Sequence, residues 1–196
     1  VIIFPLFFSF YANLTSYNIL KPGSFKFIGF SNYIALIFYD PNFANAFINT
    51  LLFIVSALSL ELISGLLVAL LIFKQKRGNK IASLLALIPM MFAPALVGYQ
   101  FKYFFNDQVG FLNNLLYSIG IKKAIPWLVD PILAGLSILS AEIWVSTPFV
   151  TIVLLAGLMA IPNEPLEAAE VDGASPWQKF WYITLPLLSP YILIAL

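Results

Sequence analysis

Neither cysteine nor histidine occurs anywhere in the sequence. Those two absences together remove disulfides, thiolate nucleophiles, imidazole bases and the usual transition-metal ligands. No catalytic residue and no metal site is therefore assigned, and no cofactor of the chain's own is expected. Charge is almost as scarce: 10% of the 196 residues are Asp, Glu, Lys or Arg, against about 25% in an ordinary soluble domain. Net charge is +1 and the basic residues are scattered, so no patch suits a nucleic acid and none is expected as a partner. A GxxxxGK[ST] phosphate loop is missing too, so the chain is not expected to bind or hydrolyse ATP itself. It opens on VIIFPLFFSF without Met or a basic leader and stops inside the apolar run ILIAL. We read it as cut at both ends, with no signal peptide to discount.

What fills the sequence instead is apolar surface, 61% of residues, with 16% aromatic. This is the composition of a polytopic, all-α membrane protein. Crossing about 30 Å of hydrocarbon takes about 20 apolar residues at about 1.5 Å each. Five runs satisfy that: residues 1–20, residues 46–73 broken only by Glu61, residues 81–101, residues 131–161 broken only by Glu142, and a run from near Phe180 to the end. No soluble domain fits between them, so residues 1–196 are expected to form a single transmembrane domain in membrane lipid. The loop KQKRGNK packs Lys74, Lys76, Arg77 and Lys80 into seven residues, and positive loops stay cytoplasmic. Alternation then puts residues 21–45 and 102–130 outside and the loop after the fourth run inside. The outer loops still carry Lys21, Lys26, Lys102, Lys122 and Lys123, so orientation rests mainly on the one tight cluster.

Secondary features are consistent with a bundle. SNYIALIF and NNLLYSIGI have helical spacing and aromatic residues suited to short helices along the interface. Pro89, Pro94 and Pro148 fall inside the third and fourth runs, where proline frees carbonyls and kinks a helix. No internal repeat is visible, which weighs against carriers built from two inverted halves.

The connection LEAAEVDGASPWQKFWYITLPLLSP is the most structured part of the sequence. Asn163 is placed to cap a short helix on which Leu166, Ala169 and Gly173 share a side and Glu164 and Glu167 point elsewhere. Gly173 can end that helix in a left-handed conformation. Ser175, Pro176 and Gln178 then resemble a capping box with proline at the first helical position. In the second helix Trp177, Phe180, Trp181, Thr184, Leu185 and Leu188 recur at three and four residues, as in a helix entering the membrane through an aromatic belt. Small residues admit another protein's backbone, and carboxylates left in water offer it charge. A solvated loop that merely joins two spans remains the alternative.

Seven residues in this connection carry a resemblance. Glu167, Ala168 and Ala169, then Gly173, then Ile183, Leu185 and Pro186 resemble the EAA motif of permease subunits in binding-protein-dependent ABC importers. The wider string DGASPWQKFWYITLPLLSP is similar to the carbohydrate-uptake branch, as are FIGFSNY, NTLLF, GFLN and TPFVTIVLLAGLMAIP elsewhere. That resemblance implies a multi-pass inner-membrane permease with the type I importer fold, five spans here and a sixth beyond. It makes residues 162–186 a cytoplasmic coupling loop, with Asp172 beside the motif, that docks on an ATPase dimer binding the ATP. It further implies a second permease subunit, commonly a different chain, and an extracytoplasmic solute-binding protein. Monosaccharide, oligosaccharide, polyol and glycerol-phosphate permeases share these motifs.

Glu61 and Glu142 are the only charges within the runs, and each costs about 2.5–3.5 kcal/mol near a helix centre on insertion scales. Glu142 lies close in sequence to Trp144, Ser140 and Ser146, an aromatic and polar set of the kind that binds sugars. A packing glutamate hydrogen-bonded to a neighbouring helix is the alternative for both. Tyr99, Gln100 and Tyr103, near the outer end of the third run, complete the candidate solute path, although a polar helix end at the interface reads the same way. A secondary carrier or channel without an ATPase would explain the intramembrane charges but leaves the EAA spacing without a role.

Overall fold

The computed structural model describes residues 2–18, 20, 23, 26–75, 79–121 and 123–196, residue 79 by its backbone. Lys21, Lys76, Arg77 and Lys122, which bear on orientation, lie outside the described residues. Among the described residues every regular element is helical, apart from one antiparallel bridge between Thr15 and Phe27. The chain divides into two compact units, residues 1–52 and 53–196, and the boundary falls inside a long helix.

In the first unit α1 (Ile3–Asn13) buries no side chain. It stops where Thr15 turns its hydroxyl back to the Ala12 carbonyl at 3.0 Å and pairs with Phe27. Its 11 residues reach about 16 Å. Asn32, in α2 (Ser31–Ile34), donates its side-chain amide to the Asn13 carbonyl at 2.8 Å. A π-helical turn (Ala35–Tyr39) follows, and the first part of α3 (Pro41–Lys74) completes the unit.

The second unit is organised around α7 (Pro131–Ala160), whose start is fixed by Asp130 accepting from the Ile132 and Leu133 amides at 3.0 Å each, with proline at the first helical position. Lipid tails offer no hydrophobic gain for pairing helices, so close approach and interhelical hydrogen bonds must hold them. The buried stripe of α3, Ala57, Glu61, Gly65, Ala69 and Ile72, supplies the approach. A Cβ on Gly65 would come within 2.6 Å of Val150 on α7. The Ser64 and Thr147 hydroxyls, 2.9 Å apart, supply the hydrogen bond. Two turns along nearly the same face α7 receives α10 (Leu185–Ala195), and a Cβ on Gly157 would meet Tyr191 and Leu188. Leu154, Leu158 and Leu188 fill the core so formed. Pro148 is buried inside α7 without ending it.

The third apolar run is broken, not merely kinked. Helix α4 (Asn79–Leu87) tightens into a 3-10 turn (Ile88–Met91), Phe92 and Ala93 are extended, and α5 (Pro94–Phe104) leaves at 88°. Proline at 94 forces its predecessor out of the helical region, and Ala93 accordingly sits at ψ 134°. After α6 (Phe111–Ser118) and α7 come α8 (Glu164–Val171) and α9 (Pro176–Lys179), which joins α10 through a second π-helical turn (Phe180–Thr184). Here too proline is the cause. Pro186 has no amide and its ring would clash with the carbonyl four residues back, so the helix widens by one residue and Leu185 donates to the Phe180 carbonyl. By length and composition α3 and α7 can each cross a bilayer, and the broken pair makes a third crossing if taken as one span.

Candidate functional site

The connection between α7 and α10 folds as a corner of two locally closed halves. In the first half, Glu164 and Glu167 sit in the opening turn of α8, where carboxylates favour the helix dipole. Asn163 occupies the cap position, but its backbone is itself helical and its side chain makes no capping bond; its carbonyl accepts from the Glu167 amide at 2.9 Å. The other end is a complete Schellman motif: Ala174 donates to Ala169 at 2.9 Å and Gly173 to Glu170 at 3.1 Å. Gly173 stands at φ +78°, a left-handed conformation that costs any residue with a Cβ. In the second half Ser175 and Gln178 form a reciprocal capping box at 3.3 and 2.8 Å ahead of Pro176.

Ala169, Asp172, Gly173 and Ile183 converge on one hollow of about 360 Å³ inside this corner, shared with Lys179 and Tyr182. Two stretches of the motif that are separated in sequence thus meet around one space. Glu167 and Ala168 lie outside the hollow on the exposed side of α8, while Leu185 and Pro186 stand just beyond the widened turn, half-buried and exposed respectively. Trp181 packs edge-on against both Trp177 and Phe180 at the start of the second helix, with centroids 5.6 and 5.5 Å apart. Two features escape sequence reasoning. One is the widened turn, whose signal was the Leu-Pro pair. The other is an ion pair from Lys179 to Glu170 at 3.5 Å, nine residues apart across a turn and invisible to helical periodicity.

Within the membrane helices Glu61 is 7% exposed and Glu142 is exposed, accepting a 3.0 Å hydrogen bond from Ser146 one turn along its own helix. Both lie within about two turns of the Ser64–Thr147 bond. Trp144 goes elsewhere. Two residues from Glu142, it points roughly 200° around the helix and packs against Phe92 and Phe101 at centroid distances of 5.8 Å. There it lines a second hollow of about 360 Å³ with Pro89, Ala86, Val68, Ser140 and Thr147. The Ser140 hydroxyl donates to Ser137 and the Thr151 hydroxyl to Thr147, so this space is mainly apolar. Tyr99, Gln100 and Tyr103 are carried on α5, outside that lining. Tyr99 and Tyr103 are exposed there. The carboxylate and the tryptophan therefore face different surroundings.

The string GFLN has a structural reason. Asn113 is 1% exposed. Its amide donates to the Asp107 and Ile125 carbonyls at 2.9 and 3.0 Å, and its carbonyl accepts from the Ile125 amide and the Trp127 indole at 3.3 and 3.0 Å. A Cβ on Gly110 would collide with the Asn106 backbone.

Comparison with known proteins places these features in context. Residues 1–196 match the family described as binding-protein-dependent transport system inner membrane component. A probable ABC transporter permease protein of Sinorhizobium fredii is 40% identical over 192 residues, covering 97% of this chain and 61% of the relative. The trehalose/maltose transport system permease protein of Thermococcus litoralis is 36% identical over 170 residues, covering 87% and 57%. The sulfoquinovosyl glycerol transport system permease protein of Agrobacterium fabrum is 35% identical over 196 residues, covering 100% and 63%. The chain thus spans about three fifths of the length of these relatives. Among solved structures, a chain of a bacterial ABC transporter involved in import of the acidic polysaccharide alginate superposes with TM-score 0.79 at 28% identity, covering 99% of this chain and 64% of that one. A chain of an alginate transporter bound to its periplasmic protein gives TM-score 0.73 at 32% identity, covering 84% and 57%.

Proposed function

Because this chain belongs to the family of binding-protein-dependent transport system inner membrane components, we propose that it is the permease subunit of an importer for a sugar or a related polyhydroxylated solute. The family is a transporter component and not an enzyme. Relatives named for trehalose/maltose and for sulfoquinovosyl glycerol support the solute class. In this reading a cytoplasmic ATPase dimer binds ATP and grips α8. A second permease, of a different chain, completes the pore, and an extracytoplasmic binding protein delivers the solute to the outer loops.

The observation that carries the reading is the corner. Its first half follows α7 after three residues and its second half runs into α10, and α7 and α10 pack on each other at Gly157. Closure of the ATPase dimer on ATP displaces α8, and the displacement reaches both membrane helices at once. Access to a central cavity then switches from one side to the other. Glu167, Ala168, Ala169, Asp172, Gly173, Ile183, Leu185 and Pro186 form the coupling element. Glu142, Trp144, Tyr99 and Gln100 border the solute path, with Glu142 and Trp144 on different faces of α7. Purification of the full-length chain from its own membrane tests this: an ATPase should accompany it, and hydrolysis should rise when loaded binding protein is added. A chain that purifies intact without an ATPase contradicts the proposal.

A further inference from the structure

Each half of the corner is closed on itself. The Schellman bonds tie Gly173 and Ala174 to α8, and the capping box ties Ser175 to α9. Among the described residues no hydrogen bond joins α8 to α9. Rotation about the φ and ψ bonds of Ala174, between an amide held by α8 and the Ser175 amide held by α9, is therefore unopposed by either cap, and a force on α8 is lost in bending there. One polar contact crosses the joint, the ion pair of Lys179 with Glu170, and it is the one ion pair among the described residues.

We infer that Lys179 and Glu170 act as a strut that sets the angle between α8 and the α9–α10 helix, so that displacement of α8 is passed to the membrane helices. Lys179 suits the task. Its side chain is only 21% exposed, against 73% for Glu170, and it lies in the hollow beside Ala169 and Ile183. A packed stem holds its ammonium in place with little rotamer freedom left to lose. Exposed ion pairs add little to global stability, but this one spans the only joint that the caps leave free. Both residues are positioning residues, since neither is among those assigned above to the coupling element. The inference rests on the coupling reading above.

The 196 residues contain no cysteine, so cysteines introduced at the exposed Val171 and Leu193 report the angle by pulsed dipolar spectroscopy on spin labels, in a full-length chain freed of any other cysteine and held in lipid nanodiscs. Lys179→Glu should raise the population of a second distance about two- to fivefold, and Lys179→Glu combined with Glu170→Lys should return the single distribution. Lys179→Gln removes the charge more gently and should give the smaller change in the same direction. A distribution unchanged by Lys179→Glu and Lys179→Gln, or a double exchange that fails to restore it, overturns the strut. Copurification of the ATPase is scored on the same samples. An intact strut without an ATPase refutes the coupling reading alone, and a bound ATPase with an unchanged distribution refutes the strut alone.

Discussion

The corner between α7 and α10 and the loop around Asn113 are both short connections closed by local hydrogen bonds, yet they are fastened in opposite ways. The Asn113 loop converges on a single buried amide that makes four hydrogen bonds, with the Trp127 ring against Phe105 at 5.9 Å. Asp107, Ile125 and Trp127 cannot leave Asn113 without breaking the hub. The corner has no hub: two self-contained caps meet at a joint, and Glu164, Glu167 and Asp172 are left in water with no ion pair among the described residues. A hub suits a loop that must keep its shape. Two stiff halves with one joint suit a part that is pushed.

If the hub description is right, Asn113→Ala should do the most damage, because it strands two carbonyls, an amide and an indole donor in a buried place. Roughly 3 kcal/mol of stability should go, read as a lowered thermal midpoint of the purified protein. Next comes a contrast of two glycines. Gly110→Ala puts a methyl group into the Asn106 backbone and should cost roughly 2 kcal/mol. Gly173 has open space around its Cβ position and only its φ against substitution, so Gly173→Asn should fold normally. Gly173→Val should cost about 1–2 kcal/mol locally and uncouple ATP hydrolysis from uptake; full uptake by that variant would count against the corner as a coupling element. Ser175→Ala removes half of the capping box and should cost about 1 kcal/mol or less, with a partial loss of coupling and a thermal midpoint lowered by about 4 °C at most.

The corner was largely legible in the sequence because its signals are local. Gly173 at a helix end and Ser175-Pro176 ahead of Gln178 read directly as the left-handed stop and the capping box that form. Asn163 did not read true, since the chain is already helical at that position and the side chain makes no capping hydrogen bond. Proline was legible as a disturbance but not in kind. Pro148 lies inside an unbroken helix, Pro94 helps to turn a span through 88°, and Pro186 widens a turn. The outcome depends on which carbonyl the ring meets and on what packs beside it. Glu142 and Trp144 looked like one surface because they are neighbours in sequence, but helical geometry separates residues two apart. The Lys179–Glu170 pair was illegible because it depends on the angle of the joint that it spans.

One crosslinking measurement tests the central claim most directly. A photoreactive crosslinker attached to a cysteine at Ala168, exposed on α8 outside the hollow, should capture a cytoplasmic ATPase in intact membranes, and more strongly when ATP is trapped in the closed dimer. If that cysteine captures no ATPase, or reacts only with reagents added outside the cell, the corner is not the handle by which ATP hydrolysis moves this protein.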